Sequence, residues 1–407
     1  MKSSKINGLQ KTVSFALIAV MLVFVIGFVS SGFQNPPDSP DDGSGDTNSP
    51  TDDSTPPGNE QPNEDDKQDE SPDTNKGENN QEDSKDNENL NSGNQDQNPD
   101  DDFLPPVVEP EPTYFNKITG LEVSKEKSEA IPVGYVVDPS LPLYGISSSD
   151  ITFEFPTEDG KTRMLSYTTD SALLWKIGSL SRTRAFISGI SNFIGGVVVS
   201  YGNDDLVKYS IWDTSKIELD LSKHYNSYFL ENTLYIYTSK ELTDNAIEAA
   251  ANLSPKPYKS CPFLFSQLGN VVGIGEAATV TLPYSEEGRV DLYYSEKTGR
   301  YLYYKAGARK MDMLTGKNVG FDNVFILFAD TTTYEKAHGS ELVIDIMGGG
   351  SGYYVSGGTY LELRWGINEI GELAFYSLNG EKLAVNPGTS YVAYYKSSQA
   401  ASVKIGY

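Results

Sequence analysis

Glu154, Glu158, Arg163 and Arg184 are the side chains whose types and spacing best suit chemistry. Arg163 stands on a strand-like run and Arg184 on the helix-like run that follows, so their guanidiniums are expected to converge at one sheet end. Two convergent arginines suit a carboxylate or phosphate, which each can grip with two parallel hydrogen bonds. The same charges also suit a structural network in which Glu154 and Glu158 pair with the arginines and fix sheet against helix. As a glycosidase pair the glutamates are badly spaced. Four residues along a straight strand is about 13 Å, beyond the roughly 5–9.5 Å of either mechanism, unless Pro156 and Gly160 bend the chain. These four residues, with Thr162 beside them, are the candidate ligand contacts. No catalytic residue, metal ligand or cofactor is assigned.

Other patterns fail on context. Ser124-Lys125-Glu126-Lys127, Tyr201-Gly202-Asn203 and Lys297-Thr298-Gly299 follow the order of the serine penicillin-binding protein motifs. Ser124 lies among charges with Pro132 close behind, however, and Lys297-Thr298-Gly299 reads as a hairpin turn. Gly273-Ile274-Gly275-Glu276-Ala277-Ala278 imitates a dinucleotide fingerprint, but a strand rather than a helix should follow it. Gly348–Gly352 lacks the glycine that a nucleophile elbow places two residues after its serine. One cysteine, Cys261, reads as a buried apolar residue. With only His224 and His338, little remains for a histidine metal site.

Two helices must position the candidates. Apolar residues at Phe186, Ile187, Ile190, Phe193 and Ile194 fall on one face of a helix over 181–194. Thr238 with Glu241 makes a capping box for a second, running through Leu242, Ala246 and Ala249. Strands are expected at 132–137, 150–155, 163–167, 196–201 and 233–237, and the strand–helix–strand over 163–201 reads as a crossover unit. Beyond about 277 the pattern is almost wholly β. Strands 290–295 and 300–305 flank a turn ending at Gly299, and Asn379-Gly380 is a strong hairpin signal. The expected class is α+β: a mixed α/β domain over 113–270, then a mostly antiparallel β domain over 271–407.

Charge divides the 407 residues more sharply than length does. Residues 35–112 carry 24 acidic side chains, three lysines and 13 of the 22 prolines. Such a segment buries too little apolar area to offset its ordering entropy, so 34–112 is expected to be a disordered spacer. Val13–Phe33 is an uncharged apolar run, long enough as a helix to span a roughly 30 Å hydrocarbon core. Lysines 2, 5 and 11 precede it, which predicts a cytoplasmic tail at 1–12 and a single-pass anchor at 13–33, with everything beyond outside the cytoplasm. A cleaved signal peptide is the competing reading. Removing both segments' charges from −25 leaves −7 for residues 113–407, where all 26 tyrosines lie. With no basic surplus to neutralise phosphates, nucleic acid is excluded as a partner.

Several landmarks in order resemble the YerB family of bacterial lipoproteins, whose two domains are catalogued as of unknown function. In the first half they are Thr119-Gly120-Leu121, Pro132-Val133, Asp138, Pro142, Gly145, Asp150-Ile151, Glu154, Glu158–Arg163, Ile177-Gly178 and Arg184. In the second they are Asp312, Asn323-Val324, Gly350-Ser351-Gly352, Trp365 and Asn386-Pro387-Gly388. The resemblance spans most of 115–396. It departs where the family has Pro and Arg-Ser after Ile-Gly and this chain has Ser179 and Ser181-Arg182; the lipobox cysteine is also missing. The expected protein is a membrane-tethered envelope component that binds cell-wall material such as peptidoglycan, or an envelope protein. A wall peptide or glycan hydrolase or transferase is the alternative.

Overall fold

The computed structural model describes residues 112–407 except 173, 210–215, 232–234, 256, 259–260, 267–270, 338 and 407. The apolar run 13–33 and nearly all of the acidic spacer lie outside the described residues, as does His338. Among the described residues no helix is long and apolar enough to cross a membrane.

The structure is mostly β, with three α-helices among the described residues: α1 (Lys125–Glu129), α2 (Ala185–Ile194) and α3 (Lys240–Ala249). The principal strands of the first half are β1 (Val133–Val137), β2 (Ile151–Pro156), β3 (Thr162–Thr168), β4 (Val197–Ser200) and β5 (Glu218–Asp220). Those of the second are β6 (Gly275–Glu276), β7 (Thr279–Leu282), β8 (Val290–Ser295), β9 (Arg300–Lys305), β10 (Asn323–Ala329), β11 (Gly350–Ser356), β12 (Thr359–Ile367), β13 (Ser390–Lys396) and β14 (Lys404–Gly406).

One 11-stranded sheet crosses the sequence boundary expected at 270. Its order is β6-β12-β11-β10-β13-β2-β3-β1-β4-β5, with Leu373–Tyr376 also paired to β12. The late strand β13 lies between β10 and β2 and runs parallel to both. The two sequence halves therefore share one sheet, mixed as a whole, in which the pairings within 271–407 are antiparallel except β10 with β13. The expected 163–201 crossover needs correction too. β1 separates β3 from β4, antiparallel to the first and parallel to the second. A smaller antiparallel sheet, running from Ala308–Arg309 through β9, β8 and β7 to β14, is built around the hairpin anticipated over 290–305.

Strand alternation decides what each face of the large sheet meets. Ile151, Phe153 and Phe155 of β2, with Leu165 and Tyr167 of β3, share a core with Phe186, Ile187, Ile190 and Phe193 of α2. Tyr135, Val137 and Met164 instead share a core with Val280, Leu292, Tyr301 and Tyr303 of the smaller sheet. Burying one such aromatic or branched side chain contributes about 1.5–3 kcal/mol, so α2 is held by its apolar face.

Helix starts differ slightly from expectation. α2 begins at Ala185 because Thr183 is engaged in a β-bridge with Asn203. The cap of α3 is Ser239, whose Oγ accepts from Leu242 N at 3.2 Å, while Thr238 ends a strand. Asp312 fastens two distant loops. Its carboxylate accepts from Gly145 N (3.0 Å), Ser147 N (2.8 Å), Ser147 Oγ (2.6 Å) and Leu314 N (2.9 Å).

Candidate functional site

The four candidate side chains divide between two places. Glu158, Arg163 and Arg184 converge on the α2 side of the large sheet; Glu154 does not join them. In β2 Glu154 alternates with Phe153 and Phe155, so it points to the opposite face, toward the smaller sheet. There it is wholly buried and accepts from Tyr303 Oη (2.9 Å), Tyr391 Oη (2.6 Å), Lys305 Nζ (2.9 Å) and Thr162 Oγ1. Lys305 Nζ also donates to Gly288 O at 2.8 Å and to Thr162 Oγ1. Burial, followed by the Glu154 charge, pushes the Tyr303 and Tyr391 hydroxyls well above their ordinary range. They remain neutral donors. This hub is closed and complete, a join between two sheets.

The other group forms an arginine corner. β3 presents Arg163 on the same face as Leu165 and Tyr167. The Thr157–Gly160 turn, closed by Gly160 N to Thr157 O at 3.2 Å and by Gly160 at φ +77°, carries Glu158 over that face. Arg184, the N-cap residue of α2, clasps Glu158 with Nη1 to Oε2 at 2.6 Å and Nη2 to Oε1 at 3.0 Å. Its Nε stands 2.9 Å from Asp204 Oδ2. Arg182 reaches the same aspartate, Nε to Oδ1 at 3.4 Å, and donates Nη2 to Asn203 O at 3.0 Å. Arg163 donates Nη1 to the Arg182 carbonyl at 2.9 Å and lies 4.0 Å from Asp204. Leu342 N donates to Glu158 Oε2 at 3.4 Å.

Three guanidiniums thus meet two carboxylates. Burial, and after it the Arg184 charge, lowers the pKa of Arg163, the cation with the weakest pairing. Burial acts the same way on Arg184, but Glu158 and Asp204 outweigh it and raise its pKa. Glu158 is brought down to about 2: burial opposes its ionisation, and the bonds from Arg184 overcome that.

Nine buried side-chain polar atoms among the described residues have no hydrogen-bond partner, and five belong to this corner: Arg163 Nε, Thr183 Oγ1, Arg184 Nε, Asn203 Oδ1 and Asp204 Oδ2. Arg184 Nε and Asp204 Oδ2 face each other as an ion pair, close but misaligned for a hydrogen bond. The remaining three have nothing. Buried polar atoms are rarely left so, and their clustering marks the corner as unfinished. Its rim is open to solvent, where the Arg182 side chain is 59% exposed, while the unpartnered atoms themselves are buried.

Sequence reading missed Arg182, Thr183, Asn203 and Asp204. Arg182-Thr183-Arg184 was a usable signal, because alternate residues of an extended segment share a face. Asp204, reached only through the Thr183–Asn203 bridge, offered none. Many of the tyrosines are core: Tyr167, Tyr301, Tyr303, Tyr354, Tyr391, Tyr394 and Tyr395 are fully buried, whereas Tyr225 and Tyr293 are exposed. Cys261 is half-buried, its Sγ 3.1 Å from Phe263 O, and burial raises its thiol pKa. Ser124 caps the exposed α1, and Lys297–Gly299 is a hairpin turn, neither in a position suited to acyl transfer.

Comparison with known proteins bears on the whole folded unit. Residues 280–392 match the family model described as "Protein of unknown function (DUF3048) C-terminal domain". The chain is 24% identical over 304 residues to "Putative lipoprotein YerB" of Bacillus subtilis (strain 168), covering 71% of this chain and 88% of that protein. The crystal structure of YerB from Bacillus subtilis matches with a TM-score of 0.63 at 21% identity, covering 72% of this chain and 99% of that one. The resemblance to YerB read from the sequence is thereby shown, and the fold is shared.

Proposed function

We infer that the protein is a membrane-tethered envelope component whose folded unit is a non-catalytic binding module. Its ligand is cell-wall material or an envelope protein that places an acidic group at the arginine corner. Likeness to a protein named as a lipoprotein supports the envelope setting, and the apolar run 13–33 followed by the acidic spacer supports the tether. The single observation that carries the binding role is the corner's incompleteness: a surplus guanidinium and unpartnered buried polar atoms beside an exposed rim. A catalytic centre would need a nucleophile or general base facing this space. The corner supplies instead guanidiniums, two carboxylates already committed to them, and a Thr183 hydroxyl with no base in hydrogen-bond contact.

The test is sedimentation of the full-length protein, in detergent micelles, with purified peptidoglycan. The protein should pellet without releasing soluble fragments, and Arg163→Gln should reduce the pelleted fraction. Soluble fragments would establish the hydrolase instead. Failure to pellet, together with an unchanged pull-down from solubilised membranes by Arg163→Gln, would remove the corner from function.

A further inference from the structure

No side chain caps α2, a helix of ten residues. Arg184 occupies the N-cap position, but its guanidinium turns to Glu158 and Asp204. Free N–H groups in a first turn carry partial positive charge and favour an anion. Beside this end, Thr183 is wholly buried with Oγ1 unpartnered, and Arg163 Nε is buried and unpartnered. These are donors awaiting an acceptor. Asn203 Oδ1, next to Thr183 across the β-bridge, is an acceptor awaiting a donor.

That mixture selects among anions. A phosphodiester brings only acceptor oxygens and would leave Asn203 Oδ1 without a partner. A peptide ending in a free carboxylate brings both kinds of group within one residue. Its carboxylate oxygens suit Arg163 Nε–H and the Thr183 hydroxyl, and its last amide N–H suits Asn203 Oδ1. One negative charge also balances three guanidiniums against two carboxylates. We propose that the arginine corner at the start of α2 is a seat for the C-terminal carboxylate of a peptide, the terminal amide hydrogen-bonded to Asn203. This rests on the reading of the corner as the ligand contact and names the chemistry of that ligand.

Calorimetry on the full-length chain in detergent micelles tests it with three probes: N-acetyl-glycyl-glycine, its C-terminal amide, and inorganic phosphate. The acid should bind in the millimolar range, as expected of so small a ligand, and the amide about tenfold more weakly or not at all. Arg163→Gln should weaken the acid about tenfold, and Arg182→Gln, at the exposed rim, about two- to threefold. Thr183→Val, near-isosteric and losing no protein hydrogen bond, provides a second variant if Arg163→Gln does not fold. It should weaken the acid about fivefold. Equal binding of acid and amide, or phosphate binding more tightly than the acid, overturns the proposal. If Arg163→Gln abolishes sedimentation with peptidoglycan while the acid never binds, the corner is the contact but not a carboxylate seat. If the acid binds and neither wall nor envelope partner is retained, the seat stands and the broader function falls.

Discussion

Two charged clusters lie on opposite faces of the same strand pair, β2 and β3, and they are completed to different degrees. On the face toward the smaller sheet, Glu154 receives donors from Tyr303, Tyr391, Lys305 and Thr162, with Glu154 and Lys305 at 0% and 3% side-chain exposure. On the face toward α2, Arg163 retains an unpartnered Nε, and Thr183 and Asn203 each keep an unpartnered oxygen. Cost explains the contrast. A charge sealed between two sheets is tolerated only when its hydrogen-bonding capacity is met from within. A charge beside an open rim can be left for an incoming group. The complete cluster is a join between two sheets, and the incomplete one is where the proposed ligand contact lies.

The sharpest way to break this comparison is Lys305→Met. It would strand a buried carboxylate and should cost about 3–5 kcal/mol in urea unfolding. Adding Glu154→Gln removes the orphan charge and keeps an acceptor for both tyrosines, so the double variant should recover most of the loss. A single-variant cost below about 1 kcal/mol would mean that the hub is no more demanding than a surface pair.

A smaller effect should appear at the corner in acid. Glu158 has a folded-state pKa of about 2 against an ordinary value of 4.5. Because the folded value is the lower one, its contribution is complete above pH 4.5 and is lost as pH falls from 4.5 toward 2. The full difference corresponds to about 3 kcal/mol. The Glu158 side chain is 27% exposed, so solvent screening brings the expected loss to about 1–2 kcal/mol. Urea midpoints at pH 5 and pH 3 should show roughly half of it, since pH 3 still lies above the folded value, and Glu158→Gln should flatten that part of the profile. An unchanged slope in the variant would show that the Arg184–Glu158 clasp contributes nothing to the corner's stability.

How much of this could be read beforehand follows from how local each signal is. The β8–β9 hairpin was legible because alternation and Gly299 at the turn sit within 16 residues, and the strands fall at 290–295 and 300–305 as expected. α2 was legible from its apolar face, although its start moved to Ala185 once the Thr183–Asn203 bridge claimed the preceding residues. Convergence of Glu158, Arg163 and Arg184 was legible from order and type. Exclusion of Glu154 was also available, since Phe153-Glu154-Phe155 puts it on the face opposite its neighbours. Lys305 follows Tyr301 and Tyr303 at every second position and so shares their buried side. What no local pattern held was the insertion of β13 between β10 and β2, which depends on pairing across more than 200 residues. Asp204 was hidden for a different reason, since it is close in sequence but brought in by a single bridge, Thr183 to Asn203, that no periodicity marks.

The finest test of the contrast is Arg163→Gln, whose expected effect on folding is close to nothing. The wild-type side chain makes one charge-assisted bond, to the Arg182 carbonyl at 2.9 Å, and its nearest carboxylate is 4.0 Å away. Against that stand the cost of keeping a guanidinium largely out of water and its repulsion by Arg184, the two causes that lower its pKa. Losing the bond should cost about 1–1.5 kcal/mol, while removing an under-compensated charge should return a similar amount. The variant should therefore unfold within about 1 kcal/mol of wild type, in contrast to Lys305→Met at the hub. If Arg163→Gln instead matched the hub variant in cost, Arg163 would be a structural member like Lys305, and the two faces of the strand pair would not differ in kind. Near-neutral folding joined to weakened binding is the combination that only an unfilled site produces.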